Sequence, residues 1–234
     1  MLRIITDFDG PIMDVSERYY RVYQFCLDEV RRSEQTVRCL SKAEFWRCKR
    51  AQVPEREIGR MSGLDDQQAL EFTRLRRETV HTLPYLSYDR PTETAIASLE
   101  RIQQAGIDLV VMTMRRVREL NHAFEENDLA RFFPADRRYC LPDDYVKTGD
   151  VRDKPLLMAR AIEELPPASY VCMIGDTEAD IAAAKSQDIP AIAVLSGIRD
   201  RDRLEQHGPD LIVQDLSEAL DRFLDGALQS ARLA

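Results

Sequence analysis

Long apolar runs are missing from this 234-residue chain: no stretch approaches the roughly 20 residues a membrane-spanning helix needs. Cysteine is sparse as well. The five present (Cys26, Cys39, Cys48, Cys140 and Cys172) are odd in number and show no CxxC spacing, which speaks against a disulfide framework or a zinc site and for a reducing, cytoplasmic setting. Histidine occurs three times, at His81, His122 and His207, too scattered for a metal or triad arrangement. No repeat or low-complexity tract is visible, and no charged-then-apolar leader, so neither a secretory signal nor a membrane partner is expected. Net charge is −8, and an acidic majority argues against nucleic acid as the partner. The acid is unevenly placed. Residues 15–85 hold 14 Lys and Arg against 11 Asp and Glu, while the rest of the chain holds 19 against 30. A basic segment beside an acidic core suits a small anionic ligand.

What is there begins almost at the N-terminus. Leu2, Ile4 and Ile5 read as a buried strand that ends abruptly in Asp7-Phe8-Asp9, after which Gly10 and Pro11 break it. Two like charges about 4 Å apart repel by roughly 4 kcal/mol at an effective dielectric of about 20. A hard divalent cation with oxygen ligands would offset that repulsion. Helix entry or a turn is the plainer reading of the same aspartates.

From 15 to 85 the periodicity is helical throughout, with helices expected over Ser16–Ser33 (Ser16 as N-cap), Lys42–Ala51 and Asp65–His81. Arg47, Lys49, Arg50, Arg56 and Arg60 cluster there, either as a solvated face or as readers of a carboxylate or second phosphate. From residue 86 onward helices alternate with short apolar runs at 107–112, 170–174, 191–195 and 211–213. That alternation predicts an α/β fold, a doubly wound, Rossmann-like parallel sheet (1–14 and 86–234) with an all-helical insertion (15–85). Ligands on such sheets bind at the carboxyl ends of strands. Three strands end in polar groups: Asp7-Phe8-Asp9, Thr113, and Gly175-Asp176-Thr177-Glu178-Ala179-Asp180. Thr113 is expected to cap a helix starting near Arg115, with Arg115 and Arg116 as surface residues of its first turn. Pro155 is expected at the first helical position, which places Lys154 at an N-cap where a cation opposes the helix dipole.

Asp7-x-Asp9-Gly10-x-x-x-Asp14, a strand ending in Thr113, Lys154-Pro155 and Gly175-Asp176-x-x-x-Asp180, in that order, resemble the four motifs of the haloacid dehalogenase (HAD) superfamily. The helical insertion is similar to the cap of its phosphoglycolate-phosphatase-like and β-phosphoglucomutase-like branch. The resemblance implies a Mg²⁺-dependent phosphatase of a small phosphorylated metabolite, whose cap closes to exclude bulk water. Asp7 would be the nucleophile and Asp9 the acid and base. Thr113, Lys154 and Gly10 would face the phosphate, and Asp7, Asp9 (through its carbonyl), Asp176 and Asp180 would serve the metal, Asp180 through water or by orienting the site. Pro11, Met114 and Asp188 depart from the family's usual residues, the last at a helix-ending glycine position. A phosphomutase and a non-catalytic binding protein on the same scaffold are the competing readings, and monomer and homodimer stay undecided.

Overall fold

The computed structural model describes the backbone of residues 1–233 and the side chains of residues 1–226. The chain divides into two compact units, Met1–Asp14 with Arg90–Ala234, and Val15–Asp89. Residues 86–89 therefore belong with the helices, not with the sheet as expected from the sequence.

The first unit is built on six parallel strands in the order Arg138–Leu141, Asp108–Arg116, Leu2–Thr6, Tyr170–Gly175, Ala191–Val194 and Leu211–Val213. Near-continuous apolar runs form the central strands because both faces are covered, and Ile4, Ile5, Val110, Val111, Met173 and Ile174 are all fully buried. Helices Ala95–Gln104, Val117–Asn127, Asp150–Glu164, Glu178–Lys185, Arg201–Glu205 and Leu216–Leu233 connect or follow them. The first strand lies centrally, with Thr6 level with Val111 on one side and Ile174 on the other. Connections leave it in both directions, so its carboxyl end is the switch point of a doubly wound sheet.

Two local departures from expectation matter for the site. The strand expected to stop at Thr113 runs on through Arg116, and its helix starts only at Val117. Its pairing with the edge strand slips there: Met112 faces Tyr139 and Arg116 faces Leu141, so Thr113, Met114 and Arg115 bulge opposite Cys140 alone. The helix expected at Pro155 starts one turn earlier, at Asp150, with Gly149 as N-cap. Asp153 accepts hydrogen bonds from the Thr148 and Gly149 amides and the Thr148 hydroxyl, satisfying donors that a helix start leaves open. Acidic residues in that first turn set the start, and Pro155 sits inside the helix.

The second unit is helical: Ser16–Val30, Lys42–Arg50, Glu55–Met61, Asp66–Thr79 and Leu83–Leu86. Capping boxes at Ser41/Glu44 and Asp65/Gln68 start two of these helices. Val15, not Ser16, caps the first, without a side-chain bond. Tyr23 stacks on Phe45 at 4.7 Å at the centre of its core. The Tyr23 hydroxyl is satisfied by Ser62 and the Leu40 amide, both at 2.8 Å. Arg18 and Asp89 pair at 3.0 Å, fully buried. Of the basic cluster singled out in the sequence, Lys49 pairs with Glu55, and Arg60 with Glu57 and Asp66. No helix among the described residues is long and apolar enough to cross a membrane.

Candidate active site

Backbone geometry at the end of the first strand carries the two aspartates into one tight turn. The Asp7 amide still donates to Ile174, and the Asp7 carboxylate then accepts from the Phe8 amide at 2.7 Å. Ile12 and Met13 both donate back to the Phe8 carbonyl, closing the turn. Gly10 adopts φ +94°, a region costly for a residue with a Cβ. A Cβ there would also overlap the Asp176 carboxylate. The Gly10 amide, expected to face a phosphate, is committed to the Met13 carbonyl. What the position supplies is room.

The strand Tyr170–Gly175 delivers the other carboxylates. Asp176 leaves its end and accepts from the Ile198 amide at 2.6 Å. Asp180 closes a capping box with Thr177, accepting from its amide and hydroxyl at 3.0 and 2.7 Å. Asp7, Asp176 and Asp180 thus bring one oxygen each within 4.8 Å of one another, all three buried. Into this cluster Lys154 extends its ammonium, 2.9 Å from Asp7 and 2.5 Å from Asp180, and only 1% exposed. The first turns of its helix place it there, not an N-cap.

Asp9 and Thr113 occupy the flank. The Arg115 Nε and Nη2 donate to one Asp9 oxygen at 2.9 and 2.6 Å. Thr113 is buried within its strand, and its hydroxyl accepts from the Arg115 amide at 3.2 Å. Arg115, which the sequence reading placed on a helical surface, is 2% exposed. The available signal was alternation: Thr113 and Arg115 are two apart and share one face of a strand. Ser196 and Gly197 also escaped notice. The Ser196 hydroxyl donates to the Gly10 carbonyl at 2.8 Å, and a Cβ on Gly197 would collide with Asp176. Their signal was a Ser-Gly pair just beyond a buried apolar strand.

Electrostatics follows from this crowding. Burial pushes the Asp7 carboxyl well above the ordinary carboxylate value; Lys154 pulls it down, and Asp180, Asp176 and Asp9 raise it again. Burial, then Asp180, lifts Asp176 to about 7 against the Ile198 amide and Lys154. Lys154 is held above its ordinary value because Asp180 and Asp7 together outweigh its burial. Among the described residues, four carboxylates (Asp7, Asp9, Asp176, Asp180) are set against Lys154 and Arg115, and Arg199, which also acts on Asp176, is matched by Glu178, so negative charge is in excess when all are ionised. A divalent cation with oxygen ligands matches that donor set in both charge and chemistry. Both Asp180 oxygens are already engaged, one by Thr177 and one by Lys154. Both Asp7 oxygens are engaged as well, by the Phe8 amide and Lys154, so engagement does not rank the three carboxylates as ligands.

Comparison with known proteins agrees with this layout. A family model described as HAD-hyrolase-like matches residues 152–219. A phosphoglycolate phosphatase of Pseudomonas savastanoi pv. phaseolicola is 24% identical over 167 residues, covering 70% of this chain and 58% of that one. The match thus spans a little over half of that relative's length. Among solved structures, a Clostridium difficile protein titled a phosphatase by assignment superposes with a TM-score of 0.72 at 18% identity, covering 95% of this chain and 99% of that one. A Thermotoga maritima chain assigned as a beta-phosphoglucomutase gives 0.63 at 22%, covering 96% and 99%. A parallel sheet wound in both directions, carboxylates gathered at its switch point and these matches point the same way: the chain is similar to haloacid-dehalogenase-like hydrolases and, among them, to phosphoglycolate phosphatases.

Proposed function

We propose that the chain is a Mg²⁺-dependent phosphatase of a small phosphorylated metabolite, acting in the cytoplasm through an aspartyl-phosphate on Asp7, with the helical unit as its cap. The observation that carries this reading is the Lys154 ammonium set between Asp7 and Asp180 inside the carboxylate cluster. A structural role alone would not require three buried carboxylates around one cation, because an unmatched buried charge is destabilising.

An Asp7 oxygen attacks phosphorus while the bond to the leaving oxygen breaks, and Asp9 gives that oxygen its proton. Asp9 then takes a proton from a water as the water attacks the aspartyl-phosphate, which frees phosphate and restores Asp7. Lys154 holds the nucleophile and phosphoryl group together against their repulsion. The Thr113 oxygen accepts from the Arg115 amide, so its own proton is available to a phosphoryl oxygen. Asp7, Asp176 and the Asp9 carbonyl, with Asp180 orienting the set, would hold Mg²⁺, which would supply charge neutralisation of the phosphoryl oxygens. Its fit is carried by the donor oxygens and the surplus negative charge described above.

The test is a panel of phosphate monoesters, phosphoglycolate first, with Mg²⁺ and with chelator, beside Asp7→Asn. Metal-dependent phosphate release from the wild type, reduced by at least about 10³-fold in the variant, is the expected outcome. An inactive wild type across the panel, or an Asp7→Asn protein that still turns over, sinks the proposal.

A further inference from the structure

We propose that Arg115 is the positioning residue for Asp9, fixing one carboxylate oxygen so that the other is aimed at the leaving group. The inference rests on the phosphatase reading above.

Three independent features converge on this residue. The strand bulge sets Thr113, Met114 and Arg115 against a single partner residue, and bulges re-aim side chains at the rims of sheets. Arg115 is thereby turned inward on the Thr113 face. Its guanidinium lies 5.0 Å from the centre of the Phe8 ring, the residue between the two aspartates. From there Nε and Nη2 both converge on Asp9 Oδ1. The two partners are unequally exposed: Arg115 is 1% accessible by side chain, Asp9 26%. A buried, ring-backed cation thus grips one end of a carboxylate whose side chain still opens outward.

The alternative is a purely structural role, in which the pair only fastens the turn to the neighbouring strand. Proton donation separates the two. An alkyl phosphate needs a proton on its leaving oxygen, whereas 4-nitrophenolate leaves without one. A misaimed Asp9 therefore slows formation of the aspartyl-phosphate from the alkyl ester selectively, while a damaged site slows its formation from both. The later hydrolysis of that intermediate is common to both esters, and kcat/KM reports the first step.

The experiment compares wild type, Arg115→Met, Arg115→Lys and, as benchmark, Asp9→Asn on the best alkyl phosphate of the panel and on 4-nitrophenyl phosphate. Thermal unfolding controls for folding, and a crystal structure of Arg115→Met shows where Asp9 goes. Positioning predicts that Arg115→Met lowers kcat/KM on the alkyl ester by about 10²-fold. On the aryl ester kcat/KM should fall by less than about tenfold. Arg115→Lys, which can reach the same oxygen with one bond, should recover part of the loss. Equal losses of kcat/KM on both esters, or no loss, would overturn the proposal. A wild type inactive on every ester would instead defeat the phosphatase reading. The crystal structure then decides alone: an Asp9 side chain unmoved in Arg115→Met overturns the positioning role, and a displaced one upholds it.

Discussion

The two units treat buried charge in opposite ways. In the helical unit Arg18 and Asp89 are 0% and 1% exposed by side chain and lie 3.0 Å apart as an ion pair. Around them the surplus is positive: the Tyr19 ring has Arg76, Arg18 and Lys49 at 4.8, 5.2 and 5.6 Å, with Glu55 pairing both Lys49 and Arg76. In the sheet unit three buried carboxylates share one ammonium. A buried pair of opposite charges is balanced in itself, and well-packed apolar groups can often replace such pairs without loss. A surplus has no such substitute, because it is relieved only by a proton or another cation. Equal burial thus conceals different purposes, and the charge balance separates them.

The sharpest way to break this comparison is Lys154→Met. Turnover should fall by about 10³-fold, and the metal-free protein should lose about 3–5 kcal/mol, read by phosphate release and urea unfolding. A metal-free variant as stable as the wild type would mean the cluster is not held by this ion pair.

Next in size is the contrast between pairs. Arg18→Met alone should cost about 3–5 kcal/mol, and Arg18→Met with Asp89→Leu should return to within about 1 kcal/mol of the wild type. Adding Asp180→Leu to Lys154→Met should restore no turnover, even if it restores stability. Urea midpoints for the first pair and activity for the second decide. A double variant as unstable as Arg18→Met would show that the helical pair is not self-contained.

The third test is linkage. Asp176 in the folded, metal-free protein titrates at about 7, above the ordinary carboxylate value. Between about pH 4 and 7 the native state therefore binds more protons than the unfolded chain, and its stability falls as pH rises through that window. Mg²⁺ should accordingly raise Tm more at pH 8 than at pH 5.5, by about 3–5 °C. Equal shifts at the two pH values would detach metal binding from the carboxylate surplus.

Smallest is Asp188→Gly. Asp188 stands at φ +53° beyond the helix Glu178–Lys185, where glycine carries no steric cost. Thermal unfolding should show a gain of about 0.5–1 kcal/mol with turnover unchanged. Altered turnover would tie this turn to the site.

Elements with one dominant local signal were legible in the sequence. Leu211–Val213 and the helix start at Lys42 fall where the apolar run and the helical periodicity put them. Alternation showed strands ending in Asp7 and Asp176, but that the two are neighbours is seen only in the sheet. Misreadings arose where one residue served two patterns. Proline favours the first helical position, so Pro155 concealed a start fixed one turn earlier by Asp150 and Asp153. Two arginines after Thr113 read as solvent-facing, because the benefit of burying Arg115 lies in Asp9, 106 residues away in sequence. Long-range pairing of that kind leaves no periodic trace.

The glycines around the carboxylates carry one last consequence. A Cβ on Gly10 or Gly197 would overlap Asp176, and one on Gly175 would overlap Asp180. Main chain, not side chain, therefore lies directly against each carboxylate. An alanine at Gly197 would act less as a loop substitution than as a wedge, driving Asp176 off its place from behind.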